Sequence, residues 1–296
     1  MKEIISQFEQ KLKKEEKELH SDSNANIENI EVELLLDAIL KQYGYDFRNY
    51  SAASRKRRIK NFLSNTKYSK ISELIVHLLY DTTFLEKFIF NFSVTVTEMF
   101  RDPSVYKTIR KIVIPLLKTY PFVKIWHAGC ASGEEVYSMA ILLKEEGIYD
   151  KCQIYATDMN DSILKQAKEG IYSIKSLKEY TYNYQKAGGA NSFSEFYYSK
   201  YDSIIINNEL KKNITFANHN LVTDSLFGEM HFIVCRNVLI YFNNILQDRV
   251  LKLFNDSLIL DGFLCLGKKE SLNFSTISDN YQKIADKEKV YQKKHE

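Results

Sequence analysis

Trp126-His127-Ala128-Gly129-Cys130-Ala131-Ser132-Gly133-Glu134-Glu135 is the stretch on which the fold turns. Its start closes an apolar run, Val123–Ala128, that reads as a strand. Its end opens an amphipathic run, Glu135–Glu146, that reads as a helix. Gly129 and Gly133 let the chain turn tightly and come close to a ligand without a Cβ in the way. A helix N-terminus offers unpaired N–H groups and favours anions. Here Glu134 and Glu135 put carboxylates at that end, which would repel a pyrophosphate. The arrangement suits a ligand that carries an ammonium group.

Outward from this turn, short apolar runs alternate with amphipathic helices, the signature of a parallel sheet with helical crossovers. Strands are expected at Gln153–Thr157, Phe232–Cys235 and Phe263–Leu266, with a last one at Val290–Lys293. Helices are expected at Asp161–Lys168 and Asn243–Leu260, with Asp261-Gly262 turning into the strand that follows. Between Gly170 and Asn220 the alternation breaks. Phe193–Tyr198, Ser203–Ile206 and Asn213–Ala217 read as short antiparallel strands, so a small subdomain is expected at about 170–219, a span too long for a plain loop. Upstream, residues 28–92 read as a helical domain, with Leu34, Leu35, Ala38 and Ile39, and later Leu74, Ile75, Leu78 and Leu79, at helical spacing. Gly44 ends the first of these helices. Residues 1–27 read as a charged helix, 1–19, and a polar linker.

Composition excludes several classes. The four cysteines, at 130, 152, 235 and 265, form no Cys-x-x-Cys pair, so reduced buried thiols are expected and a metal site is not. A net charge of +3 is too small for a whole-molecule nucleic-acid binder. The apolar runs Ile71–Tyr80 and His231–Phe242 fall short of the roughly 20 residues of a membrane span. Met1–Leu19 lacks the apolar core of a signal peptide, so a cytoplasmic location is expected.

Three more stretches carry chemistry. Tyr155-Ala156-Thr157-Asp158 ends a strand in an acid, where open α/β sheets bind ligands and an acid can hold ribose hydroxyls. The competing reading of Asp158 is a helix N-cap. Cys235-Arg236-Asn237-Val238-Leu239-Ile240-Tyr241-Phe242 ends a strand in a polar pair. Thr95-Val96-Thr97-Glu98-Met99-Phe100-Arg101-Asp102 joins the helical block to the sheet.

Together, in this order, these stretches resemble the chemotaxis receptor methyltransferases (the CheR family). That family shows a T-x-F-F-R-like segment, then G-C-x-x-G-E-E-x-Y-S, an acid after the second strand, an N-L pair, and C-R-N-V-x-I-Y-F. The likeness covers roughly residues 30–292. It implies a class I methyltransferase sheet, doubly wound, behind a small helical domain, with 93–296 as the S-adenosylmethionine (SAM)-binding domain. It implies a protein-glutamate O-methyltransferase acting on the cytoplasmic helical region of a chemoreceptor or similar acidic signalling protein, with no nucleic-acid partner and no membrane insertion. S-adenosylhomocysteine (SAH) would be the product.

Residue by residue, the resemblance implies that Gly129 and Glu134 hold the methionine part of SAM and Asp158 the ribose. Asn220 and Leu221 would border the adenine, with Asn237 and Val238 on its other side. Thr95, Thr97 and Arg101 would cover the cofactor. Arg101 and Tyr241 would place the acceptor carboxylate. The chain departs from the family at Met99 (usually Phe), Val136 (commonly Pro) and Lys268 (often His). The basic run Arg55-Lys56-Arg57-Arg58, with Lys60, reads either as a solvated helix face or as a surface for an acidic receptor. Arg55, Arg57, Arg58 and Lys60 are its substrate-contacting candidates. Ser199-Lys200-Tyr201-Asp202 joins the first two strands of the insert without a glycine, which argues against tethering of a receptor tail. The rival from another class is a SAM-binding regulatory protein that transfers nothing.

Overall fold

The structure, a computed structural model, describes residues 25–93, 97–273 and 275–295. The helix expected over 1–19 lies outside the described residues. The chain divides after Phe92 into two compact units.

The first unit is helical: α1 (25–43), α2 (Ala52–Ser64), α3 (Ile71–Tyr80) and α4 (Thr82–Phe92). Residues 25–27, expected as linker, already belong to α1. Gly44 follows α1 with φ +79 and donates its N–H to Leu40 O. The buried stripe of α1 is Val32, Leu35, Leu36 and Ile39, while Leu34, expected inside, is 55% exposed. Phe88 is fully buried and meets Phe62 and Phe92 edge-on or stacked, with ring centroids 5.1 and 5.3 Å away.

Helix α2 corrects part of the basic-face reading. Arg58 is buried, donates to Phe92 O at the end of α4, and lies 5.8 Å from the Phe92 ring centroid. Its charge closes a helix end and does not face a partner. Arg57 and Lys60 are exposed and Arg55 is half-buried. Lys56 and Lys60 both pair with Glu28 of α1, at 2.8 and 2.9 Å.

The second unit is built on a seven-stranded sheet. Its strands are β1 (Val123–Ala128), β2 (Cys152–Asp158), β6 (Ile214–Asn218), β7 (Met230–Cys235), β8 (Leu258–Leu266), β9 (Tyr281–Ala285) and β10 (Val290–Lys293), ordered β6-β2-β1-β7-β8-β10-β9. The first five in that order run parallel; β10 is antiparallel to β8 and to β9. Before the sheet, α5 (Pro103–Thr108) and α6 (Ile114–Leu117) flank a π-helical turn at Ile109–Val113, where Ile114 N–H reaches back to Ile109 O. Crossovers include α7 (Glu134–Glu145), α8 (Asp161–Glu169) and α10 (Asn244–Ser257). The chain winds outward from β1 through β2 to β6, then returns to the far side of β1 with β7. A crevice opens at the carboxyl ends of the strands at such a switch point.

The insert differs from expectation in composition. Its sheet is β3 (Ile171–Ser173), β5 (Ser203–Ile206) and β4 (Tyr197–Lys200), in the order β3-β5-β4, and it carries a helix, α9 (Leu177–Lys186). Asn213–Ala217, expected in this sheet, instead forms most of β6, paired in parallel with β2 from Ile154↔Ile214 to Asp158↔Asn218. An edge strand covered on one face alternates like an antiparallel one, so the pattern alone misassigns it. Phe193–Phe196 is a 3-10 turn with both phenylalanines buried. Further on, α10 ends at Ser257, and 258–260 are strand. The register advances from Leu258 to Phe263 on β8 while it advances from Met230 to Phe232 on β7, a bulge in which Asp261 takes φ +61. All four cysteines are buried and free.

Arg58→Ala is expected to destabilise the protein by about 1–3 kcal/mol, since Phe92 O is left unpaired inside the unit. Arg57→Ala, on the surface, should stay within about 0.5 kcal/mol. Urea unfolding of the full chain measures both.

Candidate active site

The turn after β1 is tied to β2. Gly129 and Cys130 both donate their N–H to Thr157 O, at 2.8 and 2.9 Å. Gly129 takes φ +76, and a Cβ there would stand 2.6 Å from Cγ2 of Val238. Only glycine fits both the backbone and the space. Two residues on, Ala131 N–H donates to Asp158 Oδ2 at 3.0 Å, while Asn160 N–H donates to Oδ1 at 3.1 Å. Burial raises the Asp158 carboxyl above the ordinary range, against these hydrogen bonds. The cap of α8 is Asn160, whose Oδ1 accepts from Ser162 and Ile163 N–H. Asp158 is thus not the cap; it braces the Gly129 turn, and its carboxylate keeps capacity for a further donor such as a ribose hydroxyl.

Gly133, with φ +91, starts α7. Glu134, the first helical residue, is buried; its Oε2 accepts from Ser132 Oγ at 2.6 Å and its Oε1 from Tyr180 Oη at 3.5 Å. Burial pushes its carboxyl up to about 7. Glu135 fares differently. Burial raises it too, but Arg236 and His127 outweigh that and hold it below the ordinary carboxylate value. Arg236 Nη1 lies 2.7 Å from its Oε2.

A cleft of about 460 Å³ opens beside these groups, lined by Thr97, Glu98, Arg101, Ser176, Glu179, Tyr180 and Tyr241. Three of the sequence candidates, Thr97, Arg101 and Tyr241, therefore share one cavity. Thr95 lies outside the described residues. The segment Thr97–Asp102 is fixed by Phe100, whose N–H donates to Ser138 Oγ at 2.8 Å, and by Asn183 Nδ2, which donates to Met99 O at 3.3 Å. Burial and the neighbouring Glu179 carboxyl hold Glu98 above its ordinary value, and Arg101 opposes that shift.

The sequence reading missed the outer wall: Ser176, Glu179 and Tyr180, at and just before the start of α9. A signal was present, since Leu177, Tyr180 and Tyr184 recur at i, i+3 and i+7.

The remaining candidates fall along the sheet's carboxyl edge in strand order. Asn220 and Leu221 follow β6; Asn220 Oδ1 accepts from Val222 N–H at 3.0 Å, and Leu221 is buried. Asp158 ends β2. Gly129 follows β1 and Glu134 opens the next helix. Asn237 and Val238 follow β7, with Asn237 at φ +62 and its N–H on Glu270 Oε2 at 3.1 Å. Glu270 also accepts from Gly267 and Ile240 N–H, which fixes this loop. Among the described residues, no His/Cys/Asp/Glu group has the arrangement of a metal site, and no helix is long and apolar enough to cross a membrane.

Comparison with known proteins agrees with this geometry. The family model for the CheR methyltransferase SAM-binding domain matches residues 95–290, and that for the CheR methyltransferase all-alpha domain matches residues 30–92. The fold and crevice are those of a SAM-dependent methyltransferase. Within that class, the chain belongs to the CheR family. It is 48% identical over 265 residues to the Pseudomonas putida protein named Cher3, covering 90% of this chain and 97% of that one. It is 34% identical over 236 residues to the chemotaxis protein methyltransferase of Listeria innocua, covering 79% and 87%. The corresponding protein of Borreliella burgdorferi is 27% identical over 263 residues, covering 84% and 90%.

The donor set suits SAM: a carboxylate at the α7 N-terminus for an ammonium group, and an acid at the end of β2 for a ribose. In the free protein Glu134 is protonated in a large fraction of molecules at pH 6, and an ammonium ligand favours its ionised form. SAH affinity should therefore rise with pH, and be about tenfold weaker at pH 6 than at pH 8. Calorimetric titration across that range checks this; Glu134→Gln should flatten the profile.

Proposed function

We propose that this protein transfers the methyl group of SAM to glutamate side chains of a chemoreceptor-like protein, in the cytoplasm, forming methyl esters. The observation that carries the reading is the sharing of one cleft by Thr97, Arg101 and Tyr241 beside the cofactor crevice. When bound, SAM supplies a methyl group on a sulfonium, open to in-line displacement by a carboxylate oxygen.

A glutamate carboxylate has an ordinary pKa of about 4.3 and arrives ionised at neutral pH, so no general base is required. The lining residues fit that requirement, since they contain no His or Cys. Their task is alignment, to bring the acceptor oxygen to roughly 3–3.5 Å from the methyl carbon. Arg101 is the cation among the lining residues and pairs with the incoming carboxylate. Tyr241, which lines the same cleft, offers a hydroxyl to its second oxygen. Charge is neutralised as the methyl moves, so an overly strong Arg101–carboxylate pair would favour the ground state. Glu98 and Glu179 on the same cleft counter the Arg101 field and keep that pair moderate.

The exposed part of α2, Arg57 and Lys60 with half-buried Arg55, is the surface for an acidic helical partner. The β4–β5 turn, with Tyr201 at φ +52 and no glycine, argues against the insert as a tail tether.

The test is incubation with methyl-labelled SAM and a receptor cytoplasmic fragment. Base-labile label on the fragment is expected. SAM binding with no transfer to any acidic partner would point to the regulatory role instead. Arg101→Ala should lower turnover on the order of 100-fold while weakening SAH binding far less. Asp158→Ala should do the reverse, weakening SAH binding about tenfold or more. Equal turnover in the Arg101 variant would remove that residue from the site.

A further inference from the structure

Arg101 stands between two residues with unusual backbone. Phe100 takes φ +53 and Asp102 takes φ +56. Left-handed backbone is unfavourable for residues with a Cβ and persists only where surrounding contacts enforce it. For Phe100 the contacts are Ser138 Oγ and a fully buried ring packed on Tyr106 and Tyr184. For Asp102 they are two cations, one on each carboxylate oxygen. Arg236 Nη2 lies 2.7 Å from Oδ2, and Lys268 Nζ lies 2.6 Å from Oδ1. The same Arg236 Nη2 donates to Arg101 O at 3.2 Å, and Nη1 to Glu135 Oε2.

The two cations differ in kind. The Arg236 side chain is 2% exposed, so its charge must stay paired, and its planar fork fixes the direction of each bond. The Lys268 side chain is 43% exposed, and its pair is screened by solvent. Asp102 is therefore held from inside by a rigid donor and from outside by a flexible one. Its neighbour's carbonyl is held by the same rigid donor. The backbone of Arg101 has little freedom left, while its side chain lines the cleft.

We propose that Asp102, gripped between Arg236 and Lys268, is a positioning residue for methyl transfer: it sets where the Arg101 guanidinium stands in the cleft. The role rests on the proposed methylation of a carboxylate at that cleft. Asp102 acts through Arg101 and touches no reacting atom. With Lys268 in that place, the outer half of the clamp is a charge that persists across the neutral pH range.

The test uses the full chain with Asp102→Asn and Lys268→Met. Asp102→Asn should lower kcat about tenfold, with SAH affinity and acceptor KM changed less than about threefold, the pattern of a lost transition-state alignment. In an Arg101→Ala background, Asp102→Asn should add almost nothing, because both changes remove one unit. Lys268→Met, at an exposed site, should act in the same direction by about threefold. Hydrogen exchange of the 97–102 amides should speed up in both variants, with or without SAH. That readout needs no methyl transfer: if the unaltered protein methylates no fragment, the proposed function falls while exchange still judges the clamp. Unchanged exchange in both variants overturns the inference. So does an unchanged kcat, or the same loss with and without Arg101.

Discussion

Past the ends of β1 and β7 the two loops pack so closely at Gly129 and Val238 that no Cβ fits at the glycine. A single methyl group there would stand 2.6 Å from Val238. Because it is missing, the turn folds back so that two successive N–H groups share Thr157 O. That fold-back delivers Ala131 N–H to Asp158 and starts α7 at Gly133. The turn thus brings together the Asp158 carboxylate, the start of α7 and the Val238 side of the loop that Glu270 fixes.

Glu134 and Glu135 are consecutive, yet their carboxyls titrate in opposite directions. Helical geometry turns them about 100° apart, so one sees hydroxyls and the other a guanidinium. Glu134 has Ser132 and Tyr180, which cannot offset burial. Glu135 has Arg236, which can. One acid meets hydroxyls alone among the side-chain contacts of the described residues. Its neighbour is spent on structure, holding the arginine that in turn holds Asp102.

Much of this was legible in the chain because it depends on local pattern. The strand endings at Ala128, Asp158 and Cys235 follow from apolar runs that stop at a glycine turn, at an acid and at a polar pair. Their order along the sheet edge follows from parallel winding. What could not be read was contact across distance. Arg58 looks like its exposed neighbours in a basic run, and only the end of α4 shows why it is buried. Lys268 looked like a change at the rim, and only the geometry of Asp102 gives it a partner. Asn213–Ala217 belongs to the main sheet, and Ile171–Ser173, for which no strand was expected, completes the small one, because a short strand's pairing is decided by which core covers it. The helix α9 has a plain helical spacing of Leu177, Tyr180 and Tyr184, but it is flanked by short strands whose alternation dominates the pattern of the insert.

The bond of Glu28 to Lys56 and Lys60 has an electrostatic sequel. One carboxylate cancels one of the two lysine charges, so at a Debye length, about 8 Å at physiological ionic strength, the trio counts as a single positive charge. Seen from that distance, α2 is one charge less basic than its five cations suggest in print. Arg58 is turned inward onto a neutral carbonyl, which changes where its charge sits and does not cancel it. Most of the long-range pull of this helix therefore survives the Glu28 contact.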